Sequence, residues 1–467
     1  MTLSERAALL RDAAPSSGLF AGKSWRVAPH PFSLGEDLHE RIVELGPRLH
    51  AFYQACNLLY HQSVKGRMPA WVHRHLDAGK PADLVEAARD PRFRNDLPGV
   101  IRPDLLLSEN GFTIVELDSA PGGIGLTAWF QEVYSRVEGR ERDGHDRPEE
   151  AGRSAQGEPS ACRSFLDMLR SWSGGKVSGM AAGALVISEE CSAYRPEMEW
   201  LAQESLKFQV SGLKLWACRP EELDYRERGV FLHDERLDVV YRFFELFDLS
   251  NVANAQRLIS LAQSGHVRVT PPFKPQLEEK LWFALFWFPQ LAGFWRQELG
   301  DRYFRDLQQC IPYTWLLDPA PLPPHAVIPQ LGIQDWRQLG GFSQKQRDLI
   351  LKISGFSDRA WGSRGVFLGS DMPAGEWEKV VVQALEQFEH HPWILQQFAR
   401  GRVVEHAWYD FEEAKAIPMQ GRVRLCPYYF VVGGKVELGG ILATLCPPDK
   451  KFIHGMKDAI MTLAVKS

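Results

Sequence analysis

Two short charged patterns carry the residue types and spacing for chemistry. Arg102 and Asp104 stand two apart, Glu116 and Asp118 stand two apart, and the second pair follows Asp104 by twelve and fourteen residues. Residues two apart share one face of a β-strand. Residues 100–118 read as strand, turn and strand, so both pairs are expected on one hairpin. A three-residue loop Glu109-Asn110-Gly111, with Gly111 in the left-handed conformation, pairs Ser108 with Phe112. That register sets Asp104 against Glu116 and Arg102 against Asp118. Opposed carboxylates repel, and a hard divalent cation between them removes the repulsion. Mg²⁺ takes one or two carboxylates and leaves its other positions to water and phosphate oxygens, which points to a nucleotide-phosphate site. Two plainer readings stand beside this one. The acids face water with Arg102 paired to Asp118, or a two-residue Asn110-Gly111 turn shifts the register and separates Asp104 from Glu116.

A second feature follows the expected strand 349–353. The run from Lys352-Ile353-Ser354-Gly355 through Gly362-Ser363 to Gly365 offers a cation, hydroxyls and glycines that let backbone fold over phosphate oxygens. It lacks the spacing of a P-loop, and a surface loop has the same composition. Lys280 is expected on a helix over 277–288, where Glu278 and Glu279 make a solvated charged edge the plain reading. Gln396 and Gln397 end the apolar run Trp393-Ile394-Leu395; an amide beside apolar walls suits an adenine edge and equally an ordinary edge strand.

The elements that would position these residues follow from hydrophobic period. Residues 1–95 read as a helical segment, with apolar positions from Leu38 to Ala55 on one face of a helix over 38–60 that Gly46-Pro47 breaks or kinks. Residues 96–175 carry the hairpin and a polar stretch, 138–160, expected as a mobile surface loop. Residues 176–270 alternate strands at 184–188, 213–217 and 239–241 with a helix at 195–208, a small open α/β unit. Residues 271–467 form a sheet-rich lobe: a helix at 376–390 and strands 393–398, 423–432 and 435–442 of an antiparallel sheet, the last two joined by Gly433-Gly434. The fold class is α+β.

With 467 residues the chain has room for about three units at roughly 150 residues each, with clefts between them. Apolar residues at 45% and charged residues at 24% exclude wholesale disorder. A net charge of −5 gives no general attraction to nucleic acid or anionic lipid, so neither is expected as a partner. The first residues lack an apolar secretory stretch, and the most apolar uncharged stretch, 281–295, is too short to span a bilayer and contains Pro289. Seven scattered cysteines without a CxxC pair fit reduced thiols, and no HExxH points to zinc. A cytoplasmic protein is expected, and its oligomeric state is open.

Taken in order, Arg102-Pro103-Asp104, Glu116-Leu117-Asp118 and Lys352-Ile353-Ser354-Gly355 resemble the glutathionylspermidine synthase-like, circularly permuted ATP-grasp proteins, in which the metal carboxylates precede the nucleotide lysines. The likeness spans roughly 100–467. It implies an ATP-grasp fold and Mg²⁺ ions held at Asp104, Glu116 and Asp118, bridging ATP phosphates. Asp118 stands where the family has Asn. Arg102 matches the arginine expected at the transferred phosphoryl group, and Arg424 the late strand arginine near the phosphates. Lys280, after Thr270-Pro271-Pro272-Phe273, matches the first ATP lysine. Lys352 matches the second, with Ser354, Gly355, Gly362 and Ser363 in its loop and Ile353 where Pro is usual. Gln396-Gln397 correspond to the paired glutamines beside the adenine. The family's amidase half has no counterpart, since Cys56 comes first among the cysteines and lies inside a helical run. The implied activity is an ADP-forming carboxylate-amine ligase working through an acyl phosphate on small-molecule acid and amine substrates. A small-molecule kinase on the same scaffold and a non-catalytic ATP-binding protein are the alternatives.

Overall fold

The computed structural model describes residues 1–14, 25–143, 160–174, 180–207, 212–360, 364–453 and 455–467. The described chain is a mixed α+β assembly built around a seven-stranded sheet with the hairpin at one edge. From the other edge its strands run Phe32–Leu34, Ile460–Lys466, Lys435–Cys446, Lys415–Val432, Val100–Ser108 and Gly111–Asp118; Val403–Asp410 pairs with the first half of Lys415–Val432. The 32–34 and 460–466 strands are parallel and the other pairs antiparallel.

The two-residue period of its strands lets this sheet serve two cores. Val423, Leu425 and Tyr429 pack into one cluster with the helices Glu36–Val64, Leu281–Trp287 and Ala292–Cys310. Cys426, Tyr428 and Phe430 face the other way, into a cluster with the helices Ile124–Asp143 and Ala161–Trp172. Val100 belongs to the second cluster, and Ile101 and Leu105 to the first. Arg102, Asp104 and Arg424 therefore share the face of the second core.

Two four-stranded sheets and one three-stranded sheet accompany this centre. Arg268–Thr270, Val239–Phe243, Ala181–Ile187 and Leu213–Cys218 form a parallel sheet in that order. Thr314–Leu316, Trp393–Gln397, Leu349–Ile353 and Val366–Leu368 form an antiparallel sheet, covered by the helix Ala374–Glu386 through Trp377, Val381, Ala384 and Leu385. The strand 393–397 thus belongs to a separate sheet from 415–432 and 435–446, whereas the sequence pattern groups all three.

Other expectations are corrected locally. Glu36–Val64 is one helix with Pro47 inside it. The carbonyl that Pro47 leaves without its helical donor is that of Val43, a residue 43% exposed. The helix Ile124–Asp143 runs into the stretch read as a loop, and residues 144–159 of that stretch lie outside the described residues. The helix read over 195–208 is Arg195–Ser205, and position 208 also lies outside them. The helix read over 277–288 divides into a 3-10 turn Pro275–Glu278 and the helix Leu281–Trp287, because Glu279 is extended at φ −102° and ψ 127°.

Candidate functional site

The hairpin reaches its pairing by a different route from the one its turn residues imply. The turn is Glu109-Asn110: Ser108 pairs with Gly111 and Leu107 with Phe112. Continued unchanged, that register would bring Val115 opposite Asp104. Instead the register shifts between Asp104 and Leu105, with Leu105 against Ile114 and Asp104 against Glu116. Val115 is the extra residue of a β-bulge. The shorter turn and the bulge offset each other, and Arg102 faces Asp118.

On this face the acids and guanidiniums interlock. Asp104, 4% exposed, meets Arg424 Nη1 at 3.0 Å and Arg102 Nη2 at 3.3 Å. The Cys426 thiol donates to its Oδ1 at 3.4 Å. Arg102 also pairs with Asp118, whose Oδ1 accepts the Ala120 N–H at 3.1 Å. Burial alone would raise the Asp104 pKa, but Arg102 and Arg424 outweigh it and hold the carboxyl below its ordinary value. For Asp118 burial wins over Arg102, with Glu116 and Asp104 adding repulsion, and its pKa is raised. Both guanidiniums keep a buried Nε–H with no partner in the described structure.

Two lysines reach the hairpin from other elements. Lys280 Nζ pairs with Glu116 Oε1 at 3.0 Å. Burial disfavours its charge, yet Glu116, with Glu245 and Asp118 behind it, holds the pKa above the usual lysine value. Lys352 Nζ donates to the bulged Val115 carbonyl at 2.8 Å and to Gln396 Oε1 at 3.0 Å. Both partners are neutral, so burial dominates and its pKa falls to about 8. Gln396, 1% exposed, also donates through Nε2 to Thr314 Oγ1 at 2.9 Å. Gln397 is exposed on the opposite face and donates to Gln330 Oε1 at 2.9 Å, so the two glutamines are split between the faces of their strand.

The structure thus brings together Arg102, Asp104, Glu116, Asp118, Lys280, Lys352, Gln396 and Arg424. Ser354 stands at the edge of this group and ties Lys280 to it: its carbonyl accepts the Lys280 N–H at 3.0 Å, and its Oγ accepts the Leu281 N–H at 2.8 Å. Gly355 is close-packed, since a Cβ there would lie 2.8 Å from the Glu278 carbonyl oxygen and 2.9 Å from the Glu279 side chain. Gly362 and Ser363 lie outside the described residues.

Sequence reasoning missed several neighbours. Glu278, Glu279 and Lys280 do not form a solvated edge: Glu278 pairs with the fully buried Arg242, Glu279 with Lys80, and Lys280 with Glu116. Ser119 donates to both Glu245 carboxylate oxygens at 2.7 Å, and burial with Glu278 and Asp118 nearby raises the Glu245 pKa. Ser119 was signalled by its place directly after Asp118. The Glu245 contact had no local signal. The open depression of about 400 Å³ beside Gly35, Arg41, Ser108 and Arg402 lies at the turn end of the hairpin and includes none of these groups.

The carboxylates offer the hard oxygen donors that Mg²⁺ prefers. Asp104 is engaged by two guanidiniums and a thiol, while the Glu116 side chain is 40% and that of Asp118 20% exposed. These two fit an ion that takes one or two carboxylates. Among the described residues no group of three or more His, Cys, Asp or Glu side chains is clustered for a metal.

One of the solved structures similar to this chain shares its fold. A glutathione synthetase-like effector from Globodera pallida, solved in its apo form, matches with TM-score 0.58 and 13% identity over 100% of this chain and 97% of that one. A gamma-glutamylcysteine synthetase-like protein from Methylobacillus flagellatus matches with TM-score 0.41 and 10% identity over 81% of this chain and 82% of its own. D-alanyl-alanine synthetase A from Vibrio cholerae matches with TM-score 0.25 and 10% identity over 56% and 89%. No protein-family model and no curated protein sequence matches the chain. The first likeness shows the fold, that of a glutathione synthetase-like protein.

Proposed function

We propose that the chain is an ATP-dependent carboxylate-amine ligase of the circularly permuted ATP-grasp kind, forming ADP and an amide through an acyl phosphate. One observation supports this above the others: lysines from two separate elements, Lys280 and Lys352, meet the carboxylate face of the hairpin at Glu116 and Val115. Phosphate oxygens would replace these internal partners, with Lys280 and Lys352 neutralising the α and β groups. Glu116 and Asp118 would hold Mg²⁺, with Asp104 behind them; the bound ion supplies charge neutralisation across the β and γ phosphates. The strand Trp393–Gln397 would lie beside the base.

A substrate carboxylate oxygen attacks the γ-phosphorus as the bond to ADP breaks. The unpartnered Nε–H groups of Arg102 and Arg424 are spare donors for the equatorial oxygens. The amine nitrogen then attacks the activated carbonyl, phosphate leaves, and the nitrogen gives up a proton. An amine that arrives as an ammonium would first pass one proton to Glu245, whose pKa is raised by burial, Glu278 and Asp118, which frees the nitrogen lone pair for attack. The described start of the loop, Ser354 to Ala360, would cover the acyl phosphate and exclude water. The substrates are small molecules rather than nucleic acid or membrane, in a cytoplasmic setting. No helix among the described residues is long and apolar enough to cross a membrane.

ADP release, screened with pooled amino acids, polyamines and short peptides, tests the reading. Glu116→Ala should abolish turnover and, because it leaves the largely buried Lys280 without its acid, lower the melting temperature while the chain still folds. Undiminished turnover in that variant overturns the assignment. A second reading, a nucleotide-binding protein without catalysis, draws on the ion pairs that already engage all three carboxylates. It predicts nucleotide binding with no ADP released under any substrate pool.

A further inference from the structure

Lys80 lies in the N-terminal helical segment, on the short link between the helices Ala70–Asp77 and Ala82–Ala88. Its side chain and that of Glu279 are each 1% exposed, and the two form an ion pair. Glu279 Oε2 accepts the Ser354 hydroxyl. Ser354 in turn accepts the Lys280 N–H on its carbonyl and the Leu281 N–H on its Oγ, at 3.0 and 2.8 Å. Its own N–H donates to the Pro392 carbonyl at 2.9 Å, just before the strand Trp393–Gln397. The Lys80 ammonium also lies 5.5 Å from the centre of the Phe356 ring, two residues further along the loop. Gly79 wedges this link against the same region: at φ +71°, with a Cβ that would lie 2.0 Å from the His390 carbonyl oxygen, it admits no side chain.

A buried ammonium therefore anchors one end of a chain of contacts whose other end is the backbone of Lys280 and the start of the loop after Lys352. We propose that Lys80 is a positioning residue of the nucleotide site, holding Lys280 and the Ser354 loop in register through Glu279, so that the helical segment is a working part of that site. This rests on the reading that a nucleotide lies between Lys280 and Lys352. Neither the ion pair nor the hydroxyl contact touches phosphate; the effect is geometric, and small displacements of a binding group are costly.

The test is calorimetric binding of ADP with Mg²⁺ to the full chain, well below the melting temperature. Lys80→Met is expected to raise the Kd on the order of tenfold or more. That variant leaves Glu279 buried and unpaired, which threatens folding, so Lys80→Met/Glu279→Gln serves as its partner. The double variant has no buried charge and keeps an amide for Ser354, but it loses the anchor to the helical segment. It is expected to fold and to bind ADP as weakly as the single variant. A lysine with a purely structural role would lower the melting temperature and leave the Kd unchanged, so a wild-type Kd in either folded variant overturns the proposal alone. No ADP binding by the wild-type chain overturns the nucleotide reading and this proposal together.

Discussion

The hairpin edge of the seven-stranded sheet and the four-stranded sheet around Lys352 present buried charge to the same gap, and they handle it in opposite ways. On the hairpin each charge meets its opposite: Asp104 sits between Arg102 and Arg424, and Arg102 also reaches Asp118. On the four-stranded sheet the hydrogen-bond partners of Lys352 among the described residues are the neutral oxygens of Val115 and Gln396. The consequence is visible in the protons. Arginines hold the Asp104 pKa down against burial, while burial drives the Lys352 pKa down to about 8 because no carboxylate touches it. One side is internally neutralised. The other holds charge at a cost that an incoming phosphate would relieve.

The strongest way to break this comparison is to remove the hairpin's central acid. Asp104→Ala leaves two guanidiniums buried without their shared carboxylate and is expected to cost about 3–5 kcal/mol, as for other broken buried ion pairs. Urea denaturation measures it through the midpoint. A loss below about 1 kcal/mol would mean that Arg102 and Arg424 need no partner there and that the hairpin is not the neutralised side.

On the other sheet the expected sign is reversed. Below pH 8 Lys352 is protonated in both folded and unfolded chains, so the penalty for burying its charge is fully present. As pH rises from about 8 towards 10.5 the folded chain releases this proton first, and the penalty fades. Lys352→Met should therefore match or exceed the wild type in stability at pH 7, and lose that standing as pH climbs through this window. Nucleotide affinity should run the other way. It should stay flat to about pH 8 and then fall by up to about tenfold per pH unit as the ammonium is lost, since one pKa unit is about 1.4 kcal/mol. Glu116, Asp104 and Lys280 are the charged groups that act on Lys352. A slope that persists in Lys352→Met would assign the titration to another group.

How far the sequence foretold all this follows the same divide between local and distant causes. The strand near 349–353 was legible because the apolar run Leu349-Ile350-Leu351, with Ile353, is followed by the turn residues Ser354-Gly355, and Leu349–Ile353 is the strand observed. The opposed pairs of the hairpin were legible in outcome and not in cause. Nothing in Ile114-Val115-Glu116 marks an extra residue, because a bulge is chosen by what the freed carbonyl meets, here Lys352 from another sheet. Glu278-Glu279-Lys280 was the plainest miss. Three adjacent charges look like a solvated edge, and only the extended backbone at Glu279 sends them to Arg242, Lys80 and Glu116 in three different parts of the chain. Such pairings join residues far apart in sequence, so no local pattern encodes them.

The smallest expected effect is also the finest probe of which face matters. Gln396 and Gln397 are neighbours of one residue type, yet only Gln396 points to the gap, where it bridges Lys352 and Thr314. Gln396→Ala leaves a buried ammonium with one oxygen fewer and is expected to cost about 1–3 kcal/mol and to shift the Lys352 titration further down, since less remains to solvate its charge. Gln397→Ala removes an exposed contact with Gln330 and should change stability by no more than about 0.5 kcal/mol, with the titration unmoved. The two variants share composition, strand and chemistry, so the difference between them isolates the inward face. Equal effects would show that the strand's polarity, rather than the direction of one amide, sets the proton on Lys352.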